Sequence, residues 1–418
     1  MFKKYSTGKS KKFKKTKTLT IYIYAVNLYK GGETIYVRNL INVLTKISFI
    51  NKLIVLFSPT DKDIMKNECE NDRVIYKEFY PFLKRFNNSL LERVKKIIIF
   101  CGQISGLLKL FMKVKKRGSH TERALIICPY VTPNLFLFPH SSIINPQDFR
   151  HEYEKKLTFN PFKNLARVID RYLYSSLLKN SFVIVDSDHN RQDLYKFYPY
   201  VNECAVIPSL PDLEEIDRIW KEYEIVYIRI KDKYDIHQKY LYYPSHLIPY
   251  NNHLNLLEAI YLIEQKYKTK IYVLLSGGND TLKVSILKKV EKYNLEVRYL
   301  GYLLYPEVLT LLLKAKALIF PSFIGPSISI WEAFYLGVPV CCSNIYAFQE
   351  QVGDAGLLFD PFNVEDMAEK IYRIWIDENM RKELVKRGYD RIKNLTLENY
   401  AKQWERVIEE TLDMAERR

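Results

Sequence analysis

The sequence predicts an α/β protein in which two Rossmann-like parallel-sheet domains face each other across a cleft, followed by C-terminal helices. Three observations carry this prediction. A β-branched and aromatic run, Leu19–Val26 (LTIYIYAV), leads into the glycine turn Lys30-Gly31-Gly32-Glu33 and then into Thr34–Leu44, whose apolar residues recur at helical spacing. Strand, glycine turn and helix in that order open a Rossmann-like half. The same grammar restarts after residue 240, and a charged segment that opens with Pro208 and Pro211 lies between the two.

Each element follows from its residues. Strand-like runs at Leu53–Phe57, Ala124–Cys128, Phe182–Asp186 and Ala205–Ile207 alternate with longer helical stretches, the pattern of a parallel sheet covered by helices. Pro208–Gln238 reads as the inter-domain connection, since its prolines and charges interrupt that alternation. Further runs follow at Tyr240–Tyr243, Ile271–Ser276, Val297–Leu300, Ala317–Pro321 and Val338–Cys342, separated by helix-like segments such as Asn255–Tyr267 and Pro306–Lys314. Val364–Met414 is helical throughout by pattern, with stops expected near Gly388 and Leu395. The expected organisation is a basic disordered tail (1–18), a first domain (19–210), a linker (211–239), a second domain (240–395) and a terminal helix (396–418).

Composition excludes several classes. With 48% hydrophobic residues the chain is not disordered, and with 27% charged residues it is not a polytopic membrane protein. Six cysteines contain no C-x-x-C pair, which argues against a zinc cluster or disulfide framework and fits a reducing cytoplasm. Net charge is +16, and residues 1–17 hold eight lysines and no acid. That tail is either a solvated arm or an electrostatic attraction to an anionic surface. It is also the sole argument for nucleic acid, which is not expected because no recognisable binding motif accompanies it.

Residues 97–108 are uncharged but too short to span a bilayer, which takes roughly 20 residues. Residues 124–147 are long enough, yet Pro129, Pro133, Pro139 and Pro146 fit strands and loops better than a lipid-facing helix. Leu90–Arg117 surrounds an apolar centre with eight Lys or Arg and one acid, Glu92. It is either a core helix with solvated ends or a basic amphipathic segment lying in a membrane interface.

Ligands of open parallel sheets bind beyond the carboxyl ends of the strands, so the loops there hold the candidate site residues. After Ile271–Leu275 come Ser276, Gly277 and Gly278, where missing Cβ atoms allow close backbone approach; Gly32 holds the matching place in the first domain. The richest segment runs from Pro321 to Val340: a strand end, a loop with Gly325, a short helix beginning near Ser329, and a stop at Gly337. Free N–H groups at that helix start suit a diphosphate, and Glu332, one turn in, suits two adjacent sugar hydroxyls. Ser329-x-x-Glu332 is equally the spacing of a capping box, in which Glu332 merely satisfies a backbone donor. His140, in Phe138-Pro139-His140-Ser141-Ser142, is either a cleft ligand contact or a structural histidine. Asp186-Ser187-Asp188 has the look of a metal-binding D-x-D but ends a first-domain strand, and reads as a structural turn.

Together these residues resemble the retaining family-4 (group 1) glycosyltransferases of the GT-B fold. The resemblance runs through Pro321–Val340, Leu241–Ile260, Leu274-Leu275-Ser276-Gly277-Gly278, Tyr299-Leu300-Gly301-Tyr302, Glu350-Gln351-Val352-Gly353-Asp354-Ala355, the Lys30–Glu33 turn and Val206-Ile207-Pro208. It covers roughly residues 19–375, densely after 240. It implies a nucleotide-sugar donor held mainly by the second domain, a glycan or lipid-linked acceptor held by the first, and no metal or other cofactor. Glu332 matches the second glutamate of the family's Glu-x7-Glu pattern, implying a ribose contact. Gly325, Ser327 and Ile328 match the loop whose backbone approaches the donor sugar and phosphate.

Two positions depart from the pattern. Ile324 stands where the first glutamate is expected, and Asn251 where one variant of the family has a lysine on the diphosphate. His246 and His253 are the candidates to stand in for that cation, and with Asn251 and His140 they are the expected candidates for contacts to the donor phosphate or the acceptor. The expected function is sugar transfer from a nucleotide-sugar in surface polysaccharide biosynthesis, in the cytoplasm or peripheral on the inner membrane face. The alternative is a degenerate, non-catalytic GT-B-like subunit of a polysaccharide assembly complex.

Overall fold

The computed structural model describes residues 18–25, 32–57, 71–78, 122–129, 142–146, 175, 177–278 and 281–417. The N-terminal tail, Lys30 and Gly31 of the glycine turn, Leu90–Arg117 and His140 lie outside them. Among the described residues no helix is long and apolar enough to cross a membrane.

Two all-parallel sheets organise the chain. The first contains β1 (Thr18–Ala25), β2 (Ile50–Phe57), β3 (Val74–Glu78), β4 (Glu122–Cys128), β5 (Ser142–Ile144), β6 (Phe182–Val185) and β7 (Cys204–Val206), in the order β3-β2-β1-β4-β5-β6-β7. The second contains β8 (Leu241–Pro244), β9 (Val273–Ser276), β10 (Val297–Tyr299), β11 (Ala317–Phe320), β12 (Val340–Ser343) and β13 (Gly356–Phe359), in the order β10-β9-β8-β11-β12-β13. In register, Leu241 pairs with Ala317 and Tyr242 with Leu318.

The apolar runs of the sequence form these sheets because parallel strands are covered on both faces. In β1 every residue from Leu19 to Ala25 is buried. Ile21 and Ile23 enter one core cluster while Tyr22 and Tyr24 enter another, as the two-residue period of a strand requires. Strands β3, β5 and β13 were not marked by the sequence pattern. They are short: interior β5 has only three residues, and edge strand Val74–Glu78 ends in two exposed polar residues, so neither length nor hydrophobicity announces them.

Helices depart from expectation in two places. The connection is not an irregular linker: Leu213–Tyr234 is a 22-residue helix, capped by Asp212, whose Ile216, Ile219 and Ile230 enter the second-domain core. The C-terminal stretch does not break at Gly388, which is buried inside the helix Glu378–Ile392, where a Cβ would stand 2.8 Å from the ring of Phe334. Breaks fall at Asp377, whose carboxylate accepts from the Met380 N–H at 2.9 Å, and, as expected, near Leu395, between Ile392 and Leu397. The last helix, Leu397–Arg417, then returns to the first sheet and inserts Tyr400, Trp404, Ile408 and Leu412 into its core.

Each sheet reverses its strand order once, between β1 and β4 and between β8 and β11. Such a switch point splays the loops on the two sides and opens a crevice at the carboxyl ends. In the second sheet this places the loops after Pro244 and after Phe320 side by side.

Candidate functional site

The two switch-point loops are tied together by short polar contacts. The Asn251 amide donates to the carbonyl of His246 at 2.8 Å, and its Oδ1 accepts from the Ser322 hydroxyl at 3.3 Å. The Phe323 N–H donates to the Tyr250 carbonyl at 2.9 Å. Asn251 is buried, so its polar atoms are spent on holding the loops; the sequence reading of Asn251 as a phosphate contact does not describe this conformation.

The glycine loop after β9 forms the neighbouring wall. A Cβ on Gly277 would stand 2.3 Å from the Ser245 carbonyl oxygen, and its N–H donates to the Gly301 carbonyl at 2.9 Å. Gly278 donates its N–H to His246 Nδ1 at 3.0 Å and lies against the ring of Tyr302. His246 is therefore an acceptor at Nδ1, and burial lowers its pKa, so the ring is held in its uncharged form. It does not supply the missing cation. His253 does not either: it is fully buried against Tyr243, with ring centroids 4.7 Å apart, and burial pushes its pKa down to about 3.

The third wall is the loop Ser322–Ser327 and the helix Ile328–Tyr335. Gly325 passes so close to Phe348 that a Cβ would stand 2.4 Å from the ring. Ser327 is the N-cap, its hydroxyl accepting from the Ser329 N–H at 3.3 Å. The capping-box reading of Glu332 is thereby removed, since Glu332 lies five residues beyond the cap rather than three. Ile328 packs against the core of the first sheet, so this helix start lies where the two domains meet.

Glu332 is only 2% exposed, and its Oε1 accepts from the Tyr305 hydroxyl at 2.7 Å. Burial pushes its pKa up to about 7, against the opposing effect of hydrogen bonds from Tyr305 and Ser329 and with a further rise from the nearby Asp212 carboxylate. Those two bonds leave about half of the four acceptor positions of a carboxylate for other donors. Two vicinal hydroxyls match that remaining capacity.

Of the other expected residues, Gly32 begins the helix Gly32–Lys46 and His140 is outside the described residues. Asp186-Ser187-Asp188 is a structural turn: Asp186 accepts from Asn145, Ser187 caps the helix Asp188–Phe197, and Asp188 pairs with Arg191. Among the described residues no group of three or more His, Cys, Asp or Glu is arranged as a cation site. The sequence reading missed Tyr305 and Asp212 as members of this region, and gave Glu350 and Gln351 no role although they lie in a segment that carries the resemblance. Tyr305 and Asp212 carry only the weak signal of a helix start, Pro306 and Glu215 following them.

Residues 228–391 match the family model for glycosyl transferases group 1. The O-antigen chain mannosyltransferase B of Escherichia coli is 29% identical over 242 residues, which is 57% of this chain and 62% of that protein. The chain thus spans about six tenths of the curated relative it matches. A glycosyltransferase structure from Rickettsia africae superposes with a TM-score of 0.67 at 18% identity, covering 94% of this chain and 99% of the other. Anabaena HepE in complex with UDP and glucose gives 0.68 at 14% identity, covering 93% and 99%. The chain is therefore a GT-B-fold protein, as its paired parallel sheets with a switch point in each already define. The match to group 1 glycosyl transferases spans residues 228–391, and the site just described lies within them.

Proposed function

We infer that the chain is a nucleotide-sugar-dependent glycosyltransferase that transfers a hexose to a glycan or lipid-linked oligosaccharide acceptor in surface polysaccharide biosynthesis. One observation carries this reading: the group 1 match falls on the sheet whose switch-point loops hold Gly278 through His246 on one side and, on the other, lead through Ser327 into the helix of the buried carboxylate of Glu332. In this reading Glu332 accepts from the ribose hydroxyls, and the helix start at Ser327–Ile328 faces the diphosphate and the sugar. The relatives support the donor class, since one is an O-antigen mannosyltransferase and another binds UDP and glucose. Transfer with retention of the anomeric configuration, without a metal ion, and at the cytoplasmic side of a membrane belongs to the same proposal.

The test is transfer itself. The protein is incubated with UDP- and GDP-hexoses and a lipid-linked oligosaccharide, with and without EDTA. The proposal expects a glycan longer by one hexose, of the donor's anomeric configuration, at a rate that chelation leaves unchanged.

A second reading, a non-catalytic GT-B-like subunit, is favoured by Ile324 and by the inward hydrogen bonds of Asn251. A hydrogen bond to a charged group contributes roughly 1.5–3 kcal/mol, so losing two donor contacts weakens ligand binding without necessarily ending it. Binding of a nucleotide-sugar without transfer to any acceptor is the outcome that selects this second reading.

A further inference from the structure

We propose that Glu350 and Gln351 are positioning residues that couple the meeting of the two domains to the shape of the loop at Ser327. This proposal rests on the glycosyltransferase reading for its kinetic consequence, and on geometry alone for the coupling.

Glu350 belongs to the second domain, in the short helix Tyr346–Val352. Its carboxylate reaches the first domain, where it accepts from the backbone N–H groups of Asp188 at 2.7 Å and His189 at 3.0 Å. Those groups open the helix Asp188–Phe197, whose next two N–H groups, of Asn190 and Arg191, are taken by the hydroxyl and carbonyl of Ser187. A helix leaves its first N–H groups without intrahelical partners. Here the Asn190 N–H is satisfied locally by the cap, and those of Asp188 and His189 by a residue more than 160 positions away. The carboxylate also sits at the positive end of the helix dipole, which strengthens both bonds.

Gln351 makes the second half of the device. Its Oε1 accepts from the Ser327 N–H at 3.0 Å and its Nε2 donates to the Ser327 carbonyl at 2.7 Å. The side chain is 4% exposed, so this pairing replaces water on both sides and sets the position of the N-cap residue. Behind both, the Arg391 guanidinium donates to the carbonyls of Glu350 and Gln351. Successive residues of one pinned turn thus hold the first domain with one side chain and the Ser327 loop with the next. Separation of the domains at Asp188 pulls on Glu350 and hence on Gln351; closure returns Ser327 to the site.

The test compares wild type with Glu350→Ala, Glu350→Gln and Gln351→Ala. Small-angle scattering of the full chain is expected to give a larger radius of gyration for Glu350→Ala, with Glu350→Gln, which keeps one acceptor oxygen, in between. In transfer kinetics Glu350→Ala is expected to lower kcat about tenfold, the size of a lost charge-assisted pair, while donor KM changes less than twofold. Gln351→Ala is expected to raise donor KM, and the double variant to lose less than the sum of both. Scattering and kcat of Glu350→Ala indistinguishable from wild type overturn the proposal, as does full additivity. Absence of transfer by wild type counts against the glycosyltransferase reading, and scattering then decides the coupling by itself.

Discussion

The hydroxyl of Tyr305 donates to the carboxylate of Glu332 across 2.7 Å, joining the start of one second-domain helix to the middle of another. It fixes the orientation of a carboxylate that is only 2% exposed and has Ser329 as its other hydrogen-bond partner. An enclosed carboxyl with few donors prefers its neutral form, which is why its pKa rises to about 7.

The first prediction is the pH dependence that this produces. The unfolded carboxyl loses its proton near 4.5, whereas the folded one keeps it until about 7. Between those values the folded state binds the extra proton, so this group's contribution to stability is full below pH 4.5 and is lost as pH rises to about 7. Glu332→Gln removes that part of the slope in melting curves taken at intervals from pH 4.5 to 8. Because ionised Glu332 is the better acceptor for ribose hydroxyls, nucleotide-sugar affinity rises over pH 6–8. Glu332→Gln flattens the rise and weakens binding by about tenfold. Nucleotide-sugars suit this measurement because their diphosphate does not titrate near neutrality.

The second prediction concerns His253. Both its ring nitrogens are buried without a hydrogen-bond partner, and its folded pKa lies near 3. As pH falls below the ordinary value of 6.5, the unfolded state gains a proton that the folded state refuses, and stability is lost. His253→Phe keeps the flat ring against Tyr243 and removes two orphan polar atoms. It is expected to stabilise by about 1–3 kcal/mol and to flatten the acid limb between pH 4 and 6.5. Denaturant unfolding at pH 5 and pH 8 checks both; a less stable His253→Phe refutes the assignment.

The third prediction separates the two glycines. At Gly277 a Cβ meets backbone, the Ser245 carbonyl at 2.3 Å, which cannot move without breaking the β8–β9 pairing. At Gly278 the nearest atom is in the Tyr302 ring at 3.1 Å, a half-exposed side chain able to give way. Gly277→Ala therefore lowers the melting temperature by several degrees, while Gly278→Ala lowers it little and acts mainly on ligand affinity. Equal losses of stability in the two variants contradict this account.

How much of this was legible in the sequence depends on distance along the chain. Strands β8 to β12 of the second sheet and the helix Ile328–Tyr335 were readable, because apolar runs and the stop at Gly337 are local signals. The helix Leu213–Tyr234 was hidden by its charges: its apolar residues are spaced for one buried stripe, and the prolines before it suggested a linker. Glu332 was found by pattern, but its partner Tyr305 lies 27 residues earlier and carries no motif. Asn251 and His253 have the residue types of ligand contacts, yet packing turned one into a loop tie and the other into core. Glu350's contacts with Asp188 and His189 join the two domains, and no local pattern encodes which domain a side chain faces.

The central claim is that the second domain binds a nucleotide-sugar through Glu332. It is tested most directly by the melting temperature of the wild-type protein against UDP- and GDP-hexoses at millimolar concentration. A ligand at a hundred times its Kd stabilises the native state by about 2.7 kcal/mol. The account predicts a rise of several degrees with at least one of these nucleotide-sugars, much reduced in Glu332→Ala when each protein is compared with its own ligand-free melting temperature. No shift with any of them, or a shift that Glu332→Ala leaves intact, contradicts it.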